Sequence, residues 1–209
     1  MKAYYTTFYL KCSINVFSPD ETHTFDCDTI FNVTLDLGRI LVTSHMFEAN
    51  QRRVAIIFSV HPNTIMVYNI MSTGMSFFGR KDYDGVDGDI VTGIAIAKGK
   101  LFAVLELQKK VDIYNLYDLQ EEDDTPKKVK PRMALNKDYL HFFGIDYFAP
   151  VDIKVSRFHD EAIFLQTKTG VIVMNVDEDA IATLLFTIPT LNIRYDFEIN
   201  HNHLLVMTE

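Results

Sequence analysis

Val111-Asp112-Ile113-Tyr114-Asn115-Leu116 decides how this chain is read, because the same pattern stands twice more. Ile65-Met66-Val67-Tyr68-Asn69-Ile70 precedes it, and Val171-Ile172-Val173-Met174-Asn175-Val176 follows it. In each copy one strand face carries two β-branched residues and then Asn. The other face ends in a large residue and then an aliphatic one. A unit repeated in this way is the mark of a stacked or circular repeat architecture. Such an architecture is a framework, and a framework leaves function open.

Outward from these strands, each copy follows another apolar strand through a short connection. The pairs are Val54–Val60 with Ile65–Ile70, Leu101–Leu107 with Val111–Leu116, and Ala162–Thr167 with Val171–Val176. The connections His61-Pro62-Asn63-Thr64, Gln108-Lys109-Lys110 and Lys168-Thr169-Gly170 have hairpin length. Period-2 alternation and β-branched enrichment predict strands throughout. Both faces of these strands are apolar, so the sheets must be covered on both sides. Hairpins covered on both sides by units like themselves describe the blades of a β-propeller. The fold class expected is therefore all-β, a propeller or partial propeller of four-stranded antiparallel blades.

Spacing supports this. Asn69 to Asn115 is 46 positions, close to the length of a four-stranded blade. Asn115 to Asn175 is 60, and the excess is assigned to a charged insertion near 119–137. Ile96 to Glu106 aligns without gaps on Ile199 to Glu209, which places the end of the chain after the second strand of a blade. Cys12-Ser13-Ile14-Asn15-Val16 is a fainter copy of the Asn strand. Residues 1–209 are thus expected to form one propeller-like domain of about three full repeats and two partial ones. Either the two ends complete one shared blade, or the chain is an arc of a longer propeller.

These residues resemble those of WD-repeat blades. Thr64 to Ile70 and Val111 to Leu116 look like the third strand of such a blade, with Tyr-Asn in place of Trp-Asp. Ile94 to Ala103 is similar to its first-to-second-strand hairpin. The chain has no Trp and no Gly-His pair ahead of each repeat, so that family's Asp/His network is not carried over. What the resemblance implies is a binding platform rather than a catalytic centre.

Composition is that of an ordinary globular protein, with 48% hydrophobic and 23% charged residues. Twenty basic residues against 28 acidic ones give a net charge of −8, which excludes the clustered basic face that nucleic acid requires. The lone basic cluster, Lys127, Lys128, Lys130 and Arg132, follows the acidic run Glu121 to Asp124 and reads as a solvated loop. No stretch approaches the roughly 18 apolar residues of a membrane-spanning helix, and the first ten residues lack a signal-peptide core. An intracellular location is slightly favoured on that basis. Cys12 and Cys27 are read as buried thiols, and the sequon Asn32-Val33-Thr34 matters only in a secreted chain.

The densest candidate site is Asp82-Tyr83-Asp84-Gly85-Val86-Asp87-Gly88-Asp89, with four carboxylates in eight residues. Asp82, Asp84, Asp87 and Asp89 could supply oxygens to Ca²⁺, a hard cation that takes six to eight of them. Val86 stands where the calcium-loop pattern wants a third donor, so an Asp/Gly inter-blade turn is the preferred reading. His201-Asn202-His203 could contribute to a Zn²⁺ site, but the aligned Lys98 and Lys100 mark it as a turn. The aromatic stretch Tyr139, His141, Phe142, Phe143, Tyr147 and Phe148 is read as sealing a blade or the insertion against the core. No nucleophile elbow and no phosphate-cradling Gly loop is present.

The reading is a non-catalytic protein-interaction scaffold or structural subunit, with no catalytic residue and no cofactor assigned. Its partner-binding face is expected at Leu204, Leu205, Val206 and Met207, because the strands that should follow them are missing. A protein partner or self-association is expected, without nucleic acid and without a membrane span. The alternatives are a calcium-stabilised extracellular propeller and a propeller-fold hydrolase.

Overall fold

The structure is a computed structural model. It describes residues 13–17, 22–26, 40–48, 51–58, 61–71, 74–83, 90–120, 128–155, 162–177, 179–189, 195–200 and 203–208. Side-chain surroundings are described over 52–57, 63–71, 76–83, 90–120, 128–155, 162–177 and 179–189.

Three four-stranded antiparallel meanders follow one another along the chain. The first comprises β3 (Ile40–Glu48), β4 (Gln51–Phe58), β5 (His61–Met71) and β6 (Gly74–Asp82). The second comprises β7 (Val91–Ala97), β8 (Lys100–Leu105), β9 (Lys110–Asn115) and β10 (Met133–Leu135). The third comprises β11 (Pro150–Val155), β12 (Ile163–Thr167), β13 (Gly170–Val176) and β14 (Ala182–Pro189). Two-stranded sheets flank them, β1 (Ser13–Phe17) with β2 (Thr22–Asp26) and β15 (Tyr195–Asn200) with β16 (His203–Thr208). First strands neighbour one another: β7 lies against β3 and β11, and β11 against β15. The fold is all-β and propeller-like.

The three hairpins read from sequence are the second and third strands of the three meanders. Their registers correspond, for the residue before each Asn faces the equivalent partner: Val54↔Tyr68, Leu101↔Tyr114 and Ile163↔Met174. The alignment of the chain's end also holds, with Ile96↔Leu101 and Ala97↔Lys100 matched by Ile199↔Leu204 and Asn200↔His203. Lys98 and Gly99 connect β7 to β8 with φ of 47° and 65°, the two left-handed residues a tight primed hairpin turn needs.

Two local readings shift. The connection placed at His61 to Thr64 is already strand, since Phe58 pairs with His61. Pro62 is tolerated because the register slips between Ile56 and Phe58, where a ladder bond is already interrupted. Within 119–137, Met133–Leu135 is the fourth strand of the second meander and pairs with Val111 to Ile113. The excursion therefore separates β9 from β10. A 3-10 turn at Leu116–Leu119 opens it, and helix α1 (Lys137–His141) follows β10, its Tyr139 amide donating to the Asn136 side chain at 3.0 Å.

Burial follows the strand period. On β9, Val111 and Ile113 join Phe102, Val104, Leu165, Ile172 and Met174 between the second and third sheets. On the opposite face, Tyr114 joins Leu101, Ala103, Ile57, Ile65 and Val67 between the first and second. Tyr139, Phe143 and Phe148 pack on the former cluster, and the Tyr139 hydroxyl donates to the Ala182 carbonyl at 2.7 Å. Half of the aromatic stretch thus seals the core, while Phe142, Tyr147 and His141 are exposed.

Candidate functional site

The alternation of β9 puts Lys110, Asp112 and Tyr114 on one face, turned toward the first sheet. Asp112 stands where the other two copies of the strand have Met66 and Ile172. It is 2% exposed. Its neighbours across the ladder are Ala103 on β8 and Ala134 on β10, two small residues that leave room beside the carboxylate. Oδ2 accepts from the Tyr114 hydroxyl at 3.2 Å and pairs with Lys110 Nζ at 3.2 Å. Oδ1 is buried without a hydrogen-bond partner among the described residues.

The first sheet completes the cluster. Tyr83, just past β6, donates its hydroxyl to the Tyr114 hydroxyl at 3.1 Å, so the two phenols and the carboxylate form a chain of hydrogen bonds. Lys81 lies over both rings, 5.0 Å from the centre of Tyr83 and 5.4 Å from that of Tyr114, and donates to the Val129 carbonyl at 3.2 Å. A buried carboxylate with one open oxygen, two phenols and two ammonium groups can accept a proton and stabilise negative charge.

A second polar group lies at the other end of the same junction. Arg53 on β4 is 5% exposed, and its Nε donates to the Asn69 side chain at 3.0 Å. Its guanidinium sits 4.0 Å from the Phe78 ring centre and 5.3 Å from that of Tyr117. In two of its three copies the third-strand Asn therefore accepts from a cation. Asn69 takes Arg53 from its own sheet, and Asn175 takes Lys98 of the neighbouring sheet at 3.2 Å.

Sequence reasoning did not assign Asp112, Tyr114 or Arg53 to a site. The signal for Asp112 was present in the repeat, as the one copy with a carboxylate where the others are apolar. Of the acidic-loop candidates, Asp82 ends β6, with Oδ1 accepting from Thr64 at 2.8 Å and Oδ2 3.2 Å from Arg80 Nε. Asp84, Asp87 and Asp89 lie outside the described residues. Leu204, Leu205, Val206 and Met207 lie on β16, whose side chains fall outside the described set, as does His201. Among the described residues, no three His, Cys, Asp or Glu side chains come together as a metal site, and no helix is long and apolar enough to cross a membrane.

No family model matches this chain, and no curated protein matches it. Among solved structures it is similar to a candidate 6-phosphogluconolactonase from Bacteroides fragilis, at 11% identity and a TM-score of 0.46. The match covers 69% of this chain and only 38% of that one. The expectation of a non-catalytic protein-interaction scaffold does not stand against this comparison. The protein whose sheets resemble these bears the name of a hydrolase, the class of the second alternative above. At this identity the likeness concerns the arrangement of strands and assigns no activity, substrate or residue role to this chain.

Proposed function

We propose that this chain is a hydrolase acting on a carboxylic ester, open or cyclic, with Asp112 as the general base. The observation that carries this reading is Oδ1 of a carboxylate that is 2% exposed, an atom without a hydrogen-bond partner among the described residues. Burying an acceptor without a donor costs about 1–3 kcal/mol, more for a charged group, so such atoms call for a reason. A water molecule or substrate hydroxyl on Oδ1 supplies one.

In the reaction the water oxygen attacks the ester carbonyl carbon while Oδ1 takes its proton. The carbonyl π electrons move to oxygen, and Lys81 and Lys110 are the charges available to stabilise that oxyanion. The oxyanion then collapses and breaks the bond to the leaving oxygen. The proton returns to the alkoxide from Asp112 Oδ1, while the Tyr83–Tyr114 hydroxyl chain, donating toward Oδ2, holds the carboxyl group in place. Blades of the WD type are part of this reading, on the support of Tyr68-Asn69 and Tyr114-Asn115 at the ends of their third strands.

The test is hydrolysis of a panel of open esters and lactones by the 209-residue chain, followed by acid release. Asp112→Asn is expected to lower the rate by about 10²–10⁴-fold while the melting transition is retained. Equal rates for the two proteins, or no hydrolysis above buffer across the panel, would overturn the reading.

A further inference from the structure

We propose that Arg53 is the anchor of a second, independent site that binds a small oxyanion, a carboxylate or phosphate group. Arg53 pairs with Asn69 across β4 and β5, whereas Lys81 of the Asp112 cluster pairs with Ile65. Four residues of strand, ~13 Å at ~3.3 Å per residue, separate the two places.

A guanidinium is charged at every physiological pH, so burial cannot be relieved by deprotonation. Arg53 is 5% exposed, yet among the described residues no carboxylate pairs with it. Among the described residues its one polar partner is the neutral Asn69 side chain. Stacking on Phe78 and Tyr117 offsets part of the desolvation, since cation–π contacts are stronger away from water. Neither ring, however, hydrogen-bonds in the plane of the guanidinium, where its N–H groups point, and Nη1 is buried with no acceptor among the described residues. An uncompensated buried charge of this kind is strongly unfavourable until a counter-charge arrives.

The geometry suits an oxyanion. Asn69 and the two rings hold the guanidinium plane, and its remaining N–H groups form the rigid fork that carboxylates and phosphates accept. Access is on the side of Tyr117, a residue 57% exposed although Leu116 and Leu119 beside it are fully buried.

The experiment is thermal melting of the full chain in chloride buffer, titrated with inorganic phosphate and separately with citrate. At least one is expected to raise the melting temperature saturably, by about 5 °C or more near 100 times its dissociation constant. Arg53→Gln should abolish the rise while leaving the anion-free protein as stable as the parent or more so. Tyr117→Ala, an exposed position, should keep the fold and weaken the anion several-fold. The Asp112→Asn protein should respond like the parent, which separates this site from the hydrolase reading. Two results would overturn the proposal. One is an Arg53→Gln protein that responds as the parent does. The other is no response to either anion together with a lowered melting temperature in Glu121→Gln/Glu122→Gln, which would make the chain's own acidic run the counter-ion.

Discussion

The junction between the first and second sheets and the junction between the second and third share β9, yet they are built from different chemistry. Toward the third sheet β9 presents Val111 and Ile113, which close on Leu165, Ile172 and Met174 with Leu135, Leu140 and Phe148 alongside. Toward the first sheet it presents Lys110, Asp112 and Tyr114, and the polar groups Arg53, Lys81 and Tyr83 meet them or their neighbours. Period-2 geometry lets one strand serve a dry interface and a polar one at once. The dry junction holds the sheets together. The polar junction carries buried groups whose hydrogen bonds are incomplete among the described residues.

The sharpest way to break this comparison is to delete apolar volume from the dry junction. Leu165→Ala is expected to cost about 2–5 kcal/mol, read from urea unfolding. Asp112→Asn in the polar junction should cost far less. Comparable losses would show that the buried carboxylate is structural.

Alkaline titration tests the face of the first sheet turned away from the second. Burial pushes the Tyr68 phenol up to about 12. Its hydroxyl donates to Met66 Sδ at 3.3 Å, and its ring meets Phe77 edge-on at 5.7 Å. Because the folded value lies above the ordinary one of 10.0, Tyr68 favours the folded state fully below pH 10. That contribution, about 2–3 kcal/mol, is lost as pH rises from 10 toward 12. In Tyr68→Phe the slope of stability against pH should be shallower above pH 10, measured by urea unfolding at successive pH values.

Glycines mark where backbones of neighbouring sheets touch, and they sharpen the contrast. A Cβ on Gly79 of β6 would lie 1.9 Å from the Leu119 carbonyl oxygen. One on Gly93 of β7 would meet the Asp152 carboxylate at 2.5 Å and its Cα at 3.1 Å. Alanine at either position should cost about 1–3 kcal/mol. Gly79→Ala is expected to be the worse, because a backbone carbonyl cannot swing aside as a carboxylate can. Differential scanning calorimetry of the two variants would rank them.

The smallest effect is expected from calcium. Asp82 already engages Thr64 and Arg80, so millimolar Ca²⁺ and its removal by EDTA should leave the melting temperature unchanged. A calcium-dependent rise of several degrees, lost in Asp84→Ala/Asp87→Ala, would restore the calcium-stabilised alternative.

The repeated strand by itself determined that the chain is all-β, that its sheets come in equivalent units, and which residue faces which side of each strand. These follow from local geometry: a period of two and β-branched side chains dictate strands, and apolar residues on both faces dictate cover on both sides. The positions of the hairpins and the correspondence of the chain's end with β7–β8 were legible for the same reason. Only the tertiary structure decided which polar residues are buried together. Asp112 is unremarked in sequence, since an Asp flanked by Val and Ile reads as one off-pattern residue. Its buried oxygen, its alanine neighbours and its link to Tyr83, 29 positions away, exist only once two sheets pack. Arg53 reads as a surface cation beside Gln51 and Arg52, and becomes a buried one when Tyr117 arrives from the next sheet. Sites of this kind arise where the faces of different sheets meet, and no local pattern encodes that meeting.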